Sequence, residues 1–236
     1  MNTNYKMSLI VAATILTLGF IGLGLCIKSG ILGFKDSERV VMVKGAAEME
    51  VQADKVIWPI SFKLSGNNLA HMYAEMERTQ GEIKHFLAKY GIQTESVSMG
   101  IPTITDLATE QYRSTNQFYR YFSTSSITVN STEVDKVLKA MQSVSELIQQ
   151  GIVVESSPWS VTFSFNGLND IKPTLVQQAT ANARLSAEKF ATDSGSKLGK
   201  IKTARQGEVS INTPDSNTPY RKMVRVVSTV EYYLND

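Results

Sequence analysis

Three observations predict an α+β fold, in which three helices pack on a mainly antiparallel sheet behind one N-terminal transmembrane helix. Residues Ser8 to Ile27 form a run of twenty positions without a charge. Beyond it, short segments alternate apolar and polar residues with the period of two that marks half-buried strands. Between these lie three longer segments with helical spacing, each followed by a glycine. Strands and helices alternate unevenly, which favours helices on an antiparallel sheet over a regular parallel α/β arrangement.

The elements follow in order. Residues 1–7 are a short polar tail. At about 1.5 Å per residue, the run 8–27 spans about 30 Å, the thickness of a bilayer's hydrocarbon layer. It reads as a transmembrane anchor or an uncleaved signal, because it exceeds the apolar core of about 7–15 residues typical of cleaved signals and no A-x-A-like site follows. Leu25 before Cys26 is too bulky for a lipoprotein signal. Lys6 precedes the run, while Lys28, Lys35 and Arg39 follow it, so the flanking charges alone do not favour export.

Residues 28–38 read as a linker and 39–235 as one folded body. Val40–Lys44 reads as a strand. Val56, Trp58, Ile60, Phe62 and Leu64 alternate with more polar neighbours, and Pro59 predicts an edge or a bulge. The turn Ser65-Gly-Asn-Asn68 leads into a helix over 69–90, stopped by Gly91. Residues 92–104 are expected to be extended and 106–116 a loop. Phe118 to Val129 reads as one long strand. Thr132 and Asp135 resemble a capping box for a helix over 134–150. A strand over 159–165 precedes a helix over about 172–194, whose Ala179, Ala183, Ala187 and Ala191 make a flat stripe suited to close packing on a sheet. Strands over 201–211 and 223–234 close the chain. Trp58 and Trp159 are expected in the core.

Composition narrows the function classes. Lys and Arg number 24 against 22 Asp and Glu, so no basic surplus points to nucleic acid. The single cysteine, Cys26, lies in the apolar run, which leaves the rest of the chain without disulfides or thiolate metal sites. His71 and His85 are separated by fourteen residues on one predicted helix, roughly 20 Å, too far to share a metal ion. Ser186-x-x-Lys189 matches a nucleophile motif, and Ser114-Thr-Asn116 mimics its partner, but Ser186 falls in mid-helix. The order of the motifs is reversed, and Lys202-Thr-Ala204 lacks the expected glycine. No catalytic, cofactor-binding or metal-binding residue is assigned, and no cofactor is expected.

Several motifs, in order and at matching spacing, resemble the SIMPL-domain family. Val43-Lys-Gly-Ala-Ala-Glu48 with Val51-Gln-Ala-Asp54 is similar to its V-x-G-x-A-E-x-x-V-x-P-D opening. Gly91-Ile92 before a Thr-containing segment, Tyr119-Arg120 through Ile127-Thr-Val129, and the Ala179-to-Gly199 spacing resemble later parts. Ala53 stands where the family has Pro, and Phe118 where it has Gly. The resemblance implies an exported, envelope-associated domain without established catalytic residues. Some members are linked to oxidative-stress tolerance and one assembles into a channel-like ring. It also implies that residues 28–236 lie outside the cytoplasm.

The aromatic block Phe118, Tyr119, Arg120, Tyr121 and Phe122 is the most informative soluble feature. On a strand, Phe118, Arg120 and Phe122 would share one face and the two tyrosines the other. Three readings follow: a central strand with partly exposed tyrosines, a subunit interface, or an RNA-binding strand, the last opposed by the missing basic surplus. The expectation is therefore an inner-membrane-anchored domain in the periplasm, or a secreted one if the run is cleaved. It would bind the membrane through 8–27, form a homo-oligomer, and act by self-assembly or binding. The alternatives are an envelope hydrolase or detoxifying enzyme, and a structural lattice protein.

Overall fold

A computed structural model describes residues 3–36, 39–109, 118–155 and 160–235. It is α+β with antiparallel sheets. The chain divides into two compact units: Met1–Glu48, Lys172–Val209 and Arg225–Asp236 form the first, and Met49–Ile171 with Ser210–Val224 the second.

In the first unit, helix α1 (Thr3–Asp36) contains the apolar run and continues past it, so the linker expected over 28–38 is helical as far as Asp36. Its window Ala13–Gly30 is long and apolar enough to cross a membrane, and none of it is buried. Thr17 donates its hydroxyl to the Ala13 carbonyl at 2.6 Å, satisfying a polar group inside an otherwise apolar stretch.

Strand β1 (Val40–Gln52), strand β8 (Lys197–Asn212) and strand β9 (Arg221–Asn235) form a sheet in the order β1-β9-β8. Within the first unit, helix α5 (Leu168–Asp193) covers one face through the predicted alanine stripe: Ala179, Ala183, Ala187 and Ala191 are all buried. Val43, Val230 and Tyr232 pack against that stripe. A Cβ on Gly45 would lie 2.0 Å from the Ala179 carbonyl oxygen and 2.3 Å from the Ala183 nitrogen, so strand and helix backbones touch where glycine stands. Asn182 donates to the Ala46 carbonyl at 2.8 Å.

The second unit is built around strand β2 (Lys55–Gly66), which pairs antiparallel with strand β5 (Tyr121–Ser131) from Val56↔Ser131 to Gly66↔Tyr121. Strands β3 (Val97–Met99) and β4 (Thr103–Asp106) pair with the far side of β5. Strands β6 (Val154–Glu155) and β7 (Thr162–Ser164) pair with the other flank of β2. Because β7 takes residues 55–57 and β6 takes 61–62, Pro59 falls in the interval between them, where it blocks no ladder donor on that flank. Val56, Trp58, Ile60 and Phe62 point into the core, as their alternation predicts.

Helix α2 (Leu69–Lys89) buries Met72, Met76, Thr79, Ile83 and Phe86 at helical spacing. The expected helix 134–150 is broken instead into α3 (Val134–Gln142) and α4 (Ser145–Gln149). Around Ser143 and Val144, both poor helix formers, the amides of Ser143, Val144, Glu146 and Leu147 bond three residues back instead of four. This break accompanies complete burial of Leu147. The expected capping box is absent: Glu133 caps the helix without a side-chain bond, and Ser131 Oγ accepts from the Glu133 amide at 3.0 Å.

Two further boundaries move. Helix α5 begins at Leu168, earlier than the predicted 172, with Pro173 inside it. The Asp54 carboxylate accepts from the Asn166 and Gly167 amides at 2.8 Å each and fixes the turn that starts it. The strand expected over 159–165 is confined to Thr162–Ser164, and Trp159 lies outside the described residues. Glycine stops are as predicted. Gly91, Gly151 and Gly195 adopt φ of 76°, 83° and 70°, and each following amide closes back onto the helix: Ile92 onto Leu87, Ile152 onto Leu147, Ser196 onto Ala191.

Candidate functional site

The segment 118–122 is built differently from its sequence expectation. Only Tyr121 and Phe122 belong to β5; Phe118, Tyr119 and Arg120 form a bend ahead of it. The alternation of faces expected over the whole block therefore does not hold. Side chains displace ladder pairing here. Asn67 accepts from the Arg120 amide at 2.9 Å and donates to the Phe118 carbonyl at 3.3 Å. The Asp106 carboxylate accepts from Arg120 Nη2 at 2.8 Å and from Nε at 3.1 and 3.2 Å, a bidentate pair of well-matched planar groups. The Leu107 amide closes the clasp on the Arg120 carbonyl at 2.9 Å. Arg120 also lies 4.9 Å from the centre of the Tyr121 ring.

The result is a fixed backbone carrying exposed aromatic rings. Phe118 is 88% exposed, Tyr119 47% and Phe122 42%. An exposed phenylalanine on a mobile tail would mean little. With the Phe118 carbonyl and the Arg120 amide both held by Asn67, the ring is carried on an anchored bend, which lowers the ordering cost of a contact made by it. The Arg120 guanidinium is held above its ordinary value, first by its hydrogen bond to Asp106 and then by that carboxylate's charge. It is a structural ion pair, committed to shaping the bend. The neighbouring loop expected over 106–116 begins with a short 3₁₀ turn at Leu107–Thr109, and residues 110–117, with the motif Ser114-Thr-Asn116, lie outside the described residues.

The other sequence candidates are not brought together. Ser186 donates its hydroxyl to the Asn182 carbonyl at 3.0 Å on the exposed side of α5, which occupies the proton a nucleophile would have to give to a base. Lys202 faces Glu231 at 3.6 Å. His71 and His85 are both exposed on α2. Glu75 and Glu82 both pair with Arg78 along the same helix. Among the described residues, no group of three His, Cys, Asp or Glu side chains is placed to hold a metal. The described residues line open depressions of about 250 to 510 Å³. The one lined by Gln52, Thr132, Glu133 and Asp135 has a volume of about 350 Å³, and the Gln52 amide there is already taken by Asp135 at 2.8 Å. Burial lowers the pKa of Lys222, which donates to Thr213 Oγ1 at 2.8 Å. No carboxylate or histidine accompanies it in that contact.

Sequence reasoning identified the aromatic block but missed Asn67 and Asp106, the two side chains that shape it. Their signal was faint: an Asn in a turn and an Asp at a strand end, each common in loops. A family model described as SIMPL, protein of unknown function (DUF541), matches residues 41–231. No curated protein matches the chain.

Proposed function

The chain belongs to the SIMPL family, and from that premise we propose a membrane-anchored, exported domain that acts by self-assembly and binding in the cell envelope. Helix α1 is the anchor, and residues 39–235 form the body held on the periplasmic side. A contribution to stress tolerance follows the habit of the family and rests on that resemblance alone. The observation that carries the assembly reading is Phe118: it is 88% exposed, while Asn67 holds its carbonyl and the Arg120 amide, and Asp106 holds the Arg120 guanidinium. Large rigid aromatic side chains of this kind anchor protein interfaces, because they bury much area at small entropic cost.

The test is the particle mass of the full-length protein in detergent, by size exclusion with light scattering. More than one chain per particle is expected for the native sequence. The double substitution Phe118→Ser and Phe122→Ser should shift the population toward single chains, with the affinity loss of roughly 2 kcal/mol or more typical of an aromatic anchor. A native protein that stays a strict single chain at high concentration overturns the reading.

A further inference from the structure

We infer that strand β8 is an assembly edge that pairs antiparallel with β8 of a second copy of this chain, with Ala204 on the two-fold axis. The inference rests on the assembly reading above and assigns it a surface and a register.

β8 occupies one end of the order β1-β9-β8, so only one of its flanks meets a strand among the described residues. An open strand edge presents a row of unpaired amides and carbonyls, and proteins usually blunt such edges by keeping them short, by charged side chains (lysine above all), by proline, by bulges or by covering them. β8 runs for sixteen residues without a proline, and residues 200–206 are exposed at every position. The opposite end of the sheet is treated differently. β1 buries Val43, Gly45 and Ala47, and the Asn182 side chain already occupies the Ala46 carbonyl.

What remains on β8 is charge, and the charges select one self-pairing. A two-fold axis perpendicular to the sheet leaves every side chain on its own face, so facing residues have the same parity and the axis passes through a residue. Centring on residue 200, 202 or 205 sets Lys200, Lys202 or Arg205 against its own copy, and centring on 201 sets Lys200 against Lys202. Like charges directly opposite are destabilising. Centring on 203 or 206 pairs no opposite charges. Centring on 205 does set Lys202 opposite Glu208 twice, but with Arg205 against its own copy between them. Ala204 alone, among residues 200–206, pairs opposite charges (Lys200 with Glu208, twice) with no like charges facing, Lys202 facing Gln206 and Arg205 facing Thr203. The residue on the axis is then the smallest side chain of the exposed stretch.

The experiment uses the full-length protein in detergent with Cys26→Ser, so that one introduced cysteine is the sole thiol. Directly opposite residues have Cβ atoms about 4.5–5.5 Å apart, near disulfide reach. Ala204→Cys should therefore form a disulfide-linked dimer under mild oxidation. Lys202→Cys, offset from its own copy by four residues or roughly 13 Å, should not. In the Ala204→Cys background, Lys200→Glu or Glu208→Lys alone should lower the dimer yield roughly tenfold, and the two together should restore it. Equal yields at 204 and 202, or no recovery in the double exchange, overturn the inference while oligomers seen by light scattering leave the assembly reading standing. Single chains in light scattering, with no disulfide dimer, remove both.

Discussion

The two units attach helix to sheet by opposite means. In the first, α5 meets β1 through alanines and one glycine, so close that backbone atoms touch, and the buried side chains are few: Val43, Val230 and Tyr232 with the alanine stripe. In the second, α2, α3 and α4 meet β2 and β5 through large side chains, among them Trp58, Phe62, Met76, Ile83 and Leu147. Apolar area stabilises the second arrangement at roughly 25 cal/mol per Å². The first has little such area to remove from water and relies on fit. Close packing of small residues therefore makes the first unit intolerant of added volume, while the second is sensitive mainly to removed volume.

A single carbon added or removed separates these cases. Gly45→Ala adds one methyl group at 2.0 and 2.3 Å from backbone atoms of α5, and no rotamer change relieves a backbone clash. The expected loss is roughly 3 kcal/mol or more, with helix and strand forced apart. Ile60→Val removes one methylene-sized group from a fully buried site in the second unit. It should cost only about 0.5–1.5 kcal/mol. Thermal unfolding of the full-length protein, with hydrogen exchange to locate the damage, checks both. A Gly45→Ala protein as stable as the Ile60→Val protein would show that the backbone contact between β1 and α5 can yield, and the contrast would collapse.

Legibility of the fold followed the same division. The second unit's core was readable in β2, whose clean alternation puts Trp58 and Ile60 on the buried face. The alanine stripe and the three glycine stops were equally plain. Other features depended on partners distant in sequence. The start of α5 is fixed by Asp54, more than a hundred residues earlier, through its bonds to Asn166 and Gly167. Ala53, where the family pattern has proline, gives its amide to the Tyr220 carbonyl at 2.7 Å, a bond that proline could not make. The aromatic block was visible as composition, yet its shape was set by Asn67 and Asp106, whose pairing with Arg120 leaves no local periodicity. Side-chain clasps across the chain have no sequence period, and for that reason the site was less legible than the fold.

The smallest expected effect tests the second unit's reliance on side-chain links. Glu146 accepts from Lys89 Nζ and from Tyr90 Oη, each at 2.8 Å, and so joins α4 to the end of α2 just beyond the helix break. Those two bonds, that of Lys89 first, hold the Glu146 carboxyl below the ordinary glutamate range. A carboxyl with a lowered folded value binds fewer protons than in the unfolded chain. Its contribution is therefore complete above the ordinary glutamate value of about 4.3 and disappears as pH falls through the lowered folded one. Between pH 6 and pH 3, amide protection in α4 and the last turn of α2 should decline more in the native protein than in Glu146→Gln. The effect should be modest, because the pair is exposed to solvent. The α5–β1 contact contains no titrating link of this kind at Gly45, Ala179 and Ala183, and its protection should not follow that substitution. Loss of protection around Gly45 in step with Glu146 would mean that the two ways of attaching a helix respond to acid as one.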